Sequence, residues 1–151
     1  MNFTFNEDQH ALRDSISRFL MVEAAPEKLR AIWQTDAGRS TELRSKLAEQ
    51  GITALSVPES AGGLGLGDVD WSLMNQELGY FGIPDSLSDT AYLATGLLSG
   101  LPEQHPARSK WLPLIADGSV RIALGHPVNP WVADAHLADL LLLAHPTATG
   151  T

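Results

Sequence analysis

The chain contains no cysteine, which excludes a disulfide framework and a thiolate metal site alike. Basic residues are scarce: Lys and Arg total 10 against 18 Asp and Glu, the net charge is −8, and no two basic residues are adjacent. Nucleic acid or an anionic membrane would find no cationic patch to meet. Long apolar runs are missing too. The longest, Leu140 to Ala144, is far short of the ~20 residues a helix needs to span a bilayer. The opening segment Asn2 to His10 is polar or acidic with no basic stretch ahead of it, so no signal peptide is expected. No G-K-[ST] and no G-x-S-x-G occurs, which leaves a P-loop and a hydrolase elbow without support. The expectation is a soluble, cytoplasmic chain.

What is present reads as helices. At 151 residues, with 44% hydrophobic and 19% charged residues, the chain can build a real core as one domain or slightly more. Asn6 and Gln9 form a capping-box pattern ahead of a helix carrying Leu12, Ile16, Phe19 and Leu20 on one face. Pro26 suits the first position of a second helix, with Leu29, Ile32 and Trp33 on its buried side. A third runs from about Thr41 to Gln50 with Leu43 and Leu47 inward, and Gly51 closes it. A fourth starts at Asp68 as N-cap and stops before Gly79, with Trp71, Met74 and Leu78 on one face. The fifth covers about Ser88 to Ser99. The sixth runs from Pro106 to Ala116, buries Trp111, Leu112 and Ile115, and is bent by Pro113. Leu12, Phe19, Leu47, Trp71 and Leu78 are expected to share one core. After Gly118 the period changes, and Val120–Leu124 and Leu137–Ala144 read as strands, the second apolar on both faces and hence buried.

The most informative stretch lies between the third and fourth helices. Ile52 to Val57 runs into Pro58, which favours extended backbone at Val57. Glu59 to Gly67 then contains four glycines within six residues. A phosphate-cradling loop is one reading of such a cluster. However, Gly63-x-Gly65 lacks the third glycine of G-x-G-x-x-G and a clean preceding strand, so the glycines read as structural. The ordered pattern Gly51-Ile52, Leu55, Val57-Pro58-Glu59, Gly62-Gly63, Gly65-Leu66 and Glu77-Leu78-Gly79 resembles the N-terminal helical domain of acyl-CoA dehydrogenases. Glu103-Gln104, Lys110 to Pro113 and Asp117-Gly118 extend the resemblance.

That resemblance implies a mainly α fold: a six-helix domain over residues 1–118, then the first strands of an incomplete middle β domain over 119–151. It implies FAD as cofactor and oxidation of an acyl-CoA thioester to the 2,3-enoyl-CoA. In the family a glutamate from a later helical domain is the base, so no catalytic residue is assigned here; Glu59 and Glu77 read as structural. The family's first strand carries A-[LMF]-T-E-P, whose threonine helps to hold the flavin. The matching positions are Ala123-Leu124-Gly125-His126-Pro127, which makes Leu124, Gly125 and His126 a degenerate cofactor-binding set. Loss of the hydroxyl at position 125 removes a hydrogen bond worth about 1 kcal/mol. The G-S-D segment expected next is replaced by Val128 to Asp134. Backbone amides of that loop are the remaining route to the flavin.

The resemblance also places the fifth helix along the acyl cavity, with Tyr92 and Thr95 as lining residues; their spacing of three puts both on one helical face. Tyr92 packing inside the bundle is the equal alternative. His126, His136 and His145 are spaced ten and nine apart, which matches no zinc signature. His136 and Asp139 read as surface or strand-edge groups. Some family members are heteromers in which one subunit has a degenerate flavin site, and several of these act on steroid side-chain CoA thioesters. The degenerate strand fits that subtype, with a homo- or hetero-oligomeric partner expected to cover Leu140 to Leu143. Two strands alone are not a stable sheet, so the sequence is either a fragment or a chain that needs such a partner. The competing expectation is a non-catalytic assembly module built on the helical domain.

Overall fold

The computed structural model describes residues 4–129 and 131–144. In chain order its longer elements are α1 (Glu7–Glu23), α2 (Pro26–Trp33), α3 (Thr41–Glu49), α4 (Asp68–Tyr80), a π-helical stretch (Asp89–Ala94) continuing into α5 (Thr95–Ser99), α6 (Pro106–Ala116), β1 (Ile122–Gly125) and β2 (Leu140–Leu143). The fold is mostly helical with a small sheet at its C-terminal end. Among the described residues no helix is long and apolar enough to cross a membrane.

The first helix begins as its sequence dictates. Asn6 Oδ1 accepts from Gln9 N at 2.8 Å, and Gln9 Oε1 accepts from Asn6 N at 3.0 Å, so two donors at the helix start are satisfied together. Gln9 Nε2 also donates to Asp70 Oδ1 at 3.0 Å, tying the start of α1 to that of α4, against which it packs. Ile16, Leu20, Leu47, Trp71 and Met74 form the centre of one core, with Leu12 and Phe19 half-buried against it. A second core joins Ala94, Leu98, Leu112 and Ile115 to Val57 and Ile122. Pro113 sits inside α6.

Several boundaries differ from expectation. Trp33 is 57% exposed rather than buried, because α2 ends there and only Leu29 reaches the core fully. Trp111 is half-buried rather than buried. Gly67, not Asp68, caps α4, and Asp70 supplies the side chain that accepts from Gly67 N at 3.1 Å. Gly79 lies inside that helix; the chain turns instead at Gly82, whose φ is 63°. Residues 51–56 form consecutive turns that lead into a bend at Val57, with Ala54 N donating to Gly51 O and Val57 N to Ala54 O.

The glycine loop is structural. Leu64, Gly65 and Leu66 donate their amides to Ala54, Val57 and Leu55, so the loop folds back on the turn that precedes it and these amides are not free for a phosphate. At Gly63 a Cβ would run into the Val57 backbone, which makes glycine obligatory for this closure.

The strands start later and bury less than the sequence suggests. β1 covers Ile122–Gly125, and β2 is confined to Leu140–Leu143 because residues 135–137 form a 3-10 turn. They pair in parallel, Ile122 opposite Leu140 and Gly125 opposite Leu143, with residues 126–139 as the crossover. Leu140 and Leu142 pack on the second core, whereas Leu141 and Leu143 are exposed. One face of β2 is therefore uncovered, since only one layer of helices lies against the pair.

Candidate functional site

Polar anchors fix the sheet to the bundle. Buried Thr90 donates its hydroxyl to Ile122 O at 3.0 Å and accepts from Ile122 N at 2.9 Å, stitching the π-helical stretch to the first residue of β1. Asp85 bridges Arg44 at 2.5 Å and Arg121 at 2.6 Å, and Arg44 also donates to Val120 O at 2.8 Å. Burial pulls the Arg44 guanidinium below its ordinary pKa, and Asp85 works in the opposite sense. Asp139, exposed at the strand edge, exchanges hydrogen bonds with Arg121: its carboxylate accepts from Arg121 N and its own N–H donates to Arg121 O, both at 2.8 Å.

The crossover is held in turn by Asp134, a buried residue with φ 54°. Aspartate tolerates this left-handed region better than most residues. Arg39 grips it twice, Nε at 2.9 Å and an Nη at 2.8 Å. Burial alone, the largest single influence, would raise the Asp134 pKa, but Arg39, together with Ser86 and Arg121, outweighs it and holds the carboxyl below its ordinary range.

These anchors place the C-terminal ends of β1 and β2 opposite the helix of residues 89–99, and an open groove of about 1040 Å³ lies between them. Leu93, Leu97 and Leu98 line the helical wall; Leu124, Leu142 and Leu143 line the strand wall. The size is at the upper end of ligand sites, roughly 300–1,000 Å³, and the mainly apolar lining with a few polar groups is typical of them. The polar groups are Asp68, Asp89, Tyr92 and His126.

Tyr92 lines the groove and also packs: its ring stacks on Trp71 at 5.6 Å, and its hydroxyl donates to Asp68 Oδ1 at 2.9 Å. That hydrogen bond, chiefly, raises the tyrosine pKa. Thr95 is buried away from the groove and donates to Thr90 O at 3.3 Å. Tyr92 lies in the π-helical stretch whereas Thr95 opens α5, so the α-helical spacing of three does not hold across this junction. Periodicity reasoning assumed an α-helix and could not see this. It also passed over Asp89, which carries no motif, and read Asp68 only as a helix cap.

Leu124, Gly125 and His126 all line the groove. A Cβ built on Gly125 would stand 2.5 Å from Leu143 Cδ2 and 3.2 Å from Val132 Cγ2, so leucine and valine methyls fill the space into which a threonine would grow. His126 is exposed, and its Nδ1 accepts from Val128 N at 3.3 Å. The set does not fit a flavin grip of the threonine type. His136 is exposed on the crossover, and His145 lies outside the described residues. Among the described residues no group of three or more His, Asp or Glu could hold a metal ion.

Comparison with known proteins gives a consistent picture. The sequence profile of the acyl-CoA dehydrogenase N-terminal domain matches residues 6–119. The acyl-CoA dehydrogenase IpdE2 of Mycolicibacterium smegmatis is 30% identical over 142 residues, 92% of this chain and 43% of that protein. In fold the chain is similar to the ChsE4–ChsE5 complex of Mycobacterium tuberculosis, with a TM-score of 0.85 and 23% identity, covering 99% of this chain and 47% of that one. It is also similar to a steroid acyl-CoA dehydrogenase structure, with a TM-score of 0.81 and 22% identity over 95% of this chain and 46% of that one. The chain thus spans less than half the length of these relatives.

Proposed function

The chain belongs to the acyl-CoA dehydrogenase family, and from that premise we propose that it supplies the acyl-binding wall of a flavin-dependent enzyme that oxidises an acyl-CoA thioester to the 2,3-enoyl-CoA. The observation that carries the reading is the leucine-lined groove between residues 89–99 and the ends of β1 and β2. An apolar trough of this size suits a bulky acyl group, in keeping with the steroid-type heteromers that the degenerate strand resembles. Burying one leucine-sized surface in such a trough contributes about 1.5–3 kcal/mol, so several contacts give useful affinity.

FAD is the cofactor of the complete enzyme, held mainly by residues other than Leu124, Gly125 and His126. A partner subunit with an intact T-E-P strand and the glutamate base would bring it to the thioester. Leu141 and Leu143 on the open face of β2, and Val128 and Trp131 at over 80% exposure on the crossover, offer apolar surface for such a subunit. That exposed surface equally favours the second reading, an assembly module without substrate of its own.

Titration calorimetry with a long-chain or alicyclic acyl-CoA separates the two. The first reading expects saturable binding of the thioester, weakened about tenfold or more by Leu97→Asp, which places a charge in the trough. Absence of thioester binding with a folded chain would leave the assembly module as the surviving account.

A further inference from the structure

The corner where α1 turns into α2 carries a second apolar surface, which shares no residue with the groove. Met21 near the end of α1, Trp33 at the end of α2 and Tyr80 at the end of α4 are each more than half exposed there. They surround a hollow of about 360 Å³, lined also by Ala24, Ala25 and Arg30. Single exposed apolar residues are ordinary on a protein, but a contiguous patch of them marks a contact surface. Its composition agrees, since Trp, Tyr, Met and Arg are the residues that protein interfaces collect. The charges beside the patch are of both signs. α2 presents Glu27 and Arg30, both exposed and about 4.5 Å apart along the helix axis. Among the described residues neither forms a salt bridge, whereas Lys28 and Lys46 are both held by Glu23.

We propose that this corner is the contact of a two-fold dimer, and that its occupant is the same surface on a second copy of the chain. Charge complementarity selects the arrangement. Two α2 helices laid antiparallel about an axis level with residues 28 and 29 bring Arg30 of each copy beside Glu27 of the other. The ion pair then forms twice, as a two-fold contact requires. A parallel arrangement sets Arg30 against Arg30, which like charges oppose. The antiparallel alignment also carries each Trp33 over the other copy's Ala24 and Ala25, which line the hollow, and about 360 Å³ leaves room for an indole ring. An unrelated acidic protein could meet Arg30 but would be repelled by Glu27; a second copy satisfies both at once. Two chains of net charge −8 repel as wholes, so they associate only where the local charge balances, as it does on α2. The inference is independent of what the groove binds.

Sedimentation equilibrium of the full 151-residue chain is the test. Between about 1 μM and about 1 mM it should show a monomer–dimer equilibrium. Trp33→Ser, at an exposed position, should weaken the dimer about thirtyfold or more. Arg30→Glu and Glu27→Arg should each weaken it about tenfold, because each sets like charges together twice. The double swap Glu27→Arg with Arg30→Glu should recover most of that loss, which a purely structural effect on α2 would not do. Lys110→Glu makes the same change of net charge on α6 and should leave the dimer unchanged, as should Leu143→Asp on β2. Thermal melts followed by circular dichroism check that every variant is folded. A monomer throughout the range, or a dimer that survives Trp33→Ser and both single swaps, overturns the proposal. So does a dimer abolished by Leu143→Asp, which moves the contact to β2, and failure of the double swap to recover affinity overturns the antiparallel pairing.

Discussion

A single hydroxyl, that of Thr90, satisfies both backbone groups of Ile122 at a buried point where the sheet meets the helices. Thr90→Val keeps the shape but leaves an N–H without an acceptor, and should cost about 1–3 kcal/mol in chemical denaturation. Asp134 gives a second test through pH. Its carboxyl is depressed in the folded chain, so the folded state holds the charged form more firmly than the unfolded one. The stability it contributes is fully present above the ordinary aspartate pKa and is lost as pH falls through the folded value. The lead of the unaltered chain over Asp134→Asn should therefore be constant near neutrality and shrink below about pH 4. Residue identity was partly legible in the sequence. Gly125 and His126 announce a changed strand end, because the resemblance says what stood there. Asp134 and Thr90 do not, because their partners lie 95 and 32 positions away.

Helices were the legible elements. Asn6 and Gln9 mark the start of α1, and Gly51 and Gly118 follow the ends of α3 and α6 with positive φ. The misplaced ends have physical causes. Gly79 costs α4 only about 1 kcal/mol against alanine, which tertiary packing by Leu78 offsets, so the helix runs through it. The π-helical register has no sequence signature. Between elements the strongest link is Asp85 with Arg44 and Arg121. Asp85→Ala leaves the buried Arg44 and the partly buried Arg121 guanidiniums without their anion and should cost about 3–5 kcal/mol, a large part of a small protein's stability. Retention of full stability in that variant, measured by urea unfolding, would mean that the sheet is held by apolar packing alone.

At the scale of the molecule, the helix of residues 89–99 and the two parallel strands wall an open trough, with Leu141 and Leu143 exposed on β2. An unpaired edge beside exposed leucines invites another chain, and under the proposed function a flavin-bearing subunit takes that place. The architecture was legible from the resemblance. The volume and openness of the trough were not, because they depend on how the crossover returns β2 beside β1. The central claim is a division of labour, with acyl binding here and flavin binding elsewhere, and flavin absorbance of the purified 151-residue chain tests it most directly. The chain should purify colourless and fail to retain added FAD through gel filtration, and should gain flavin only in complex with a subunit carrying the intact T-E-P strand. Purification of this chain alone with stoichiometric FAD would contradict the account.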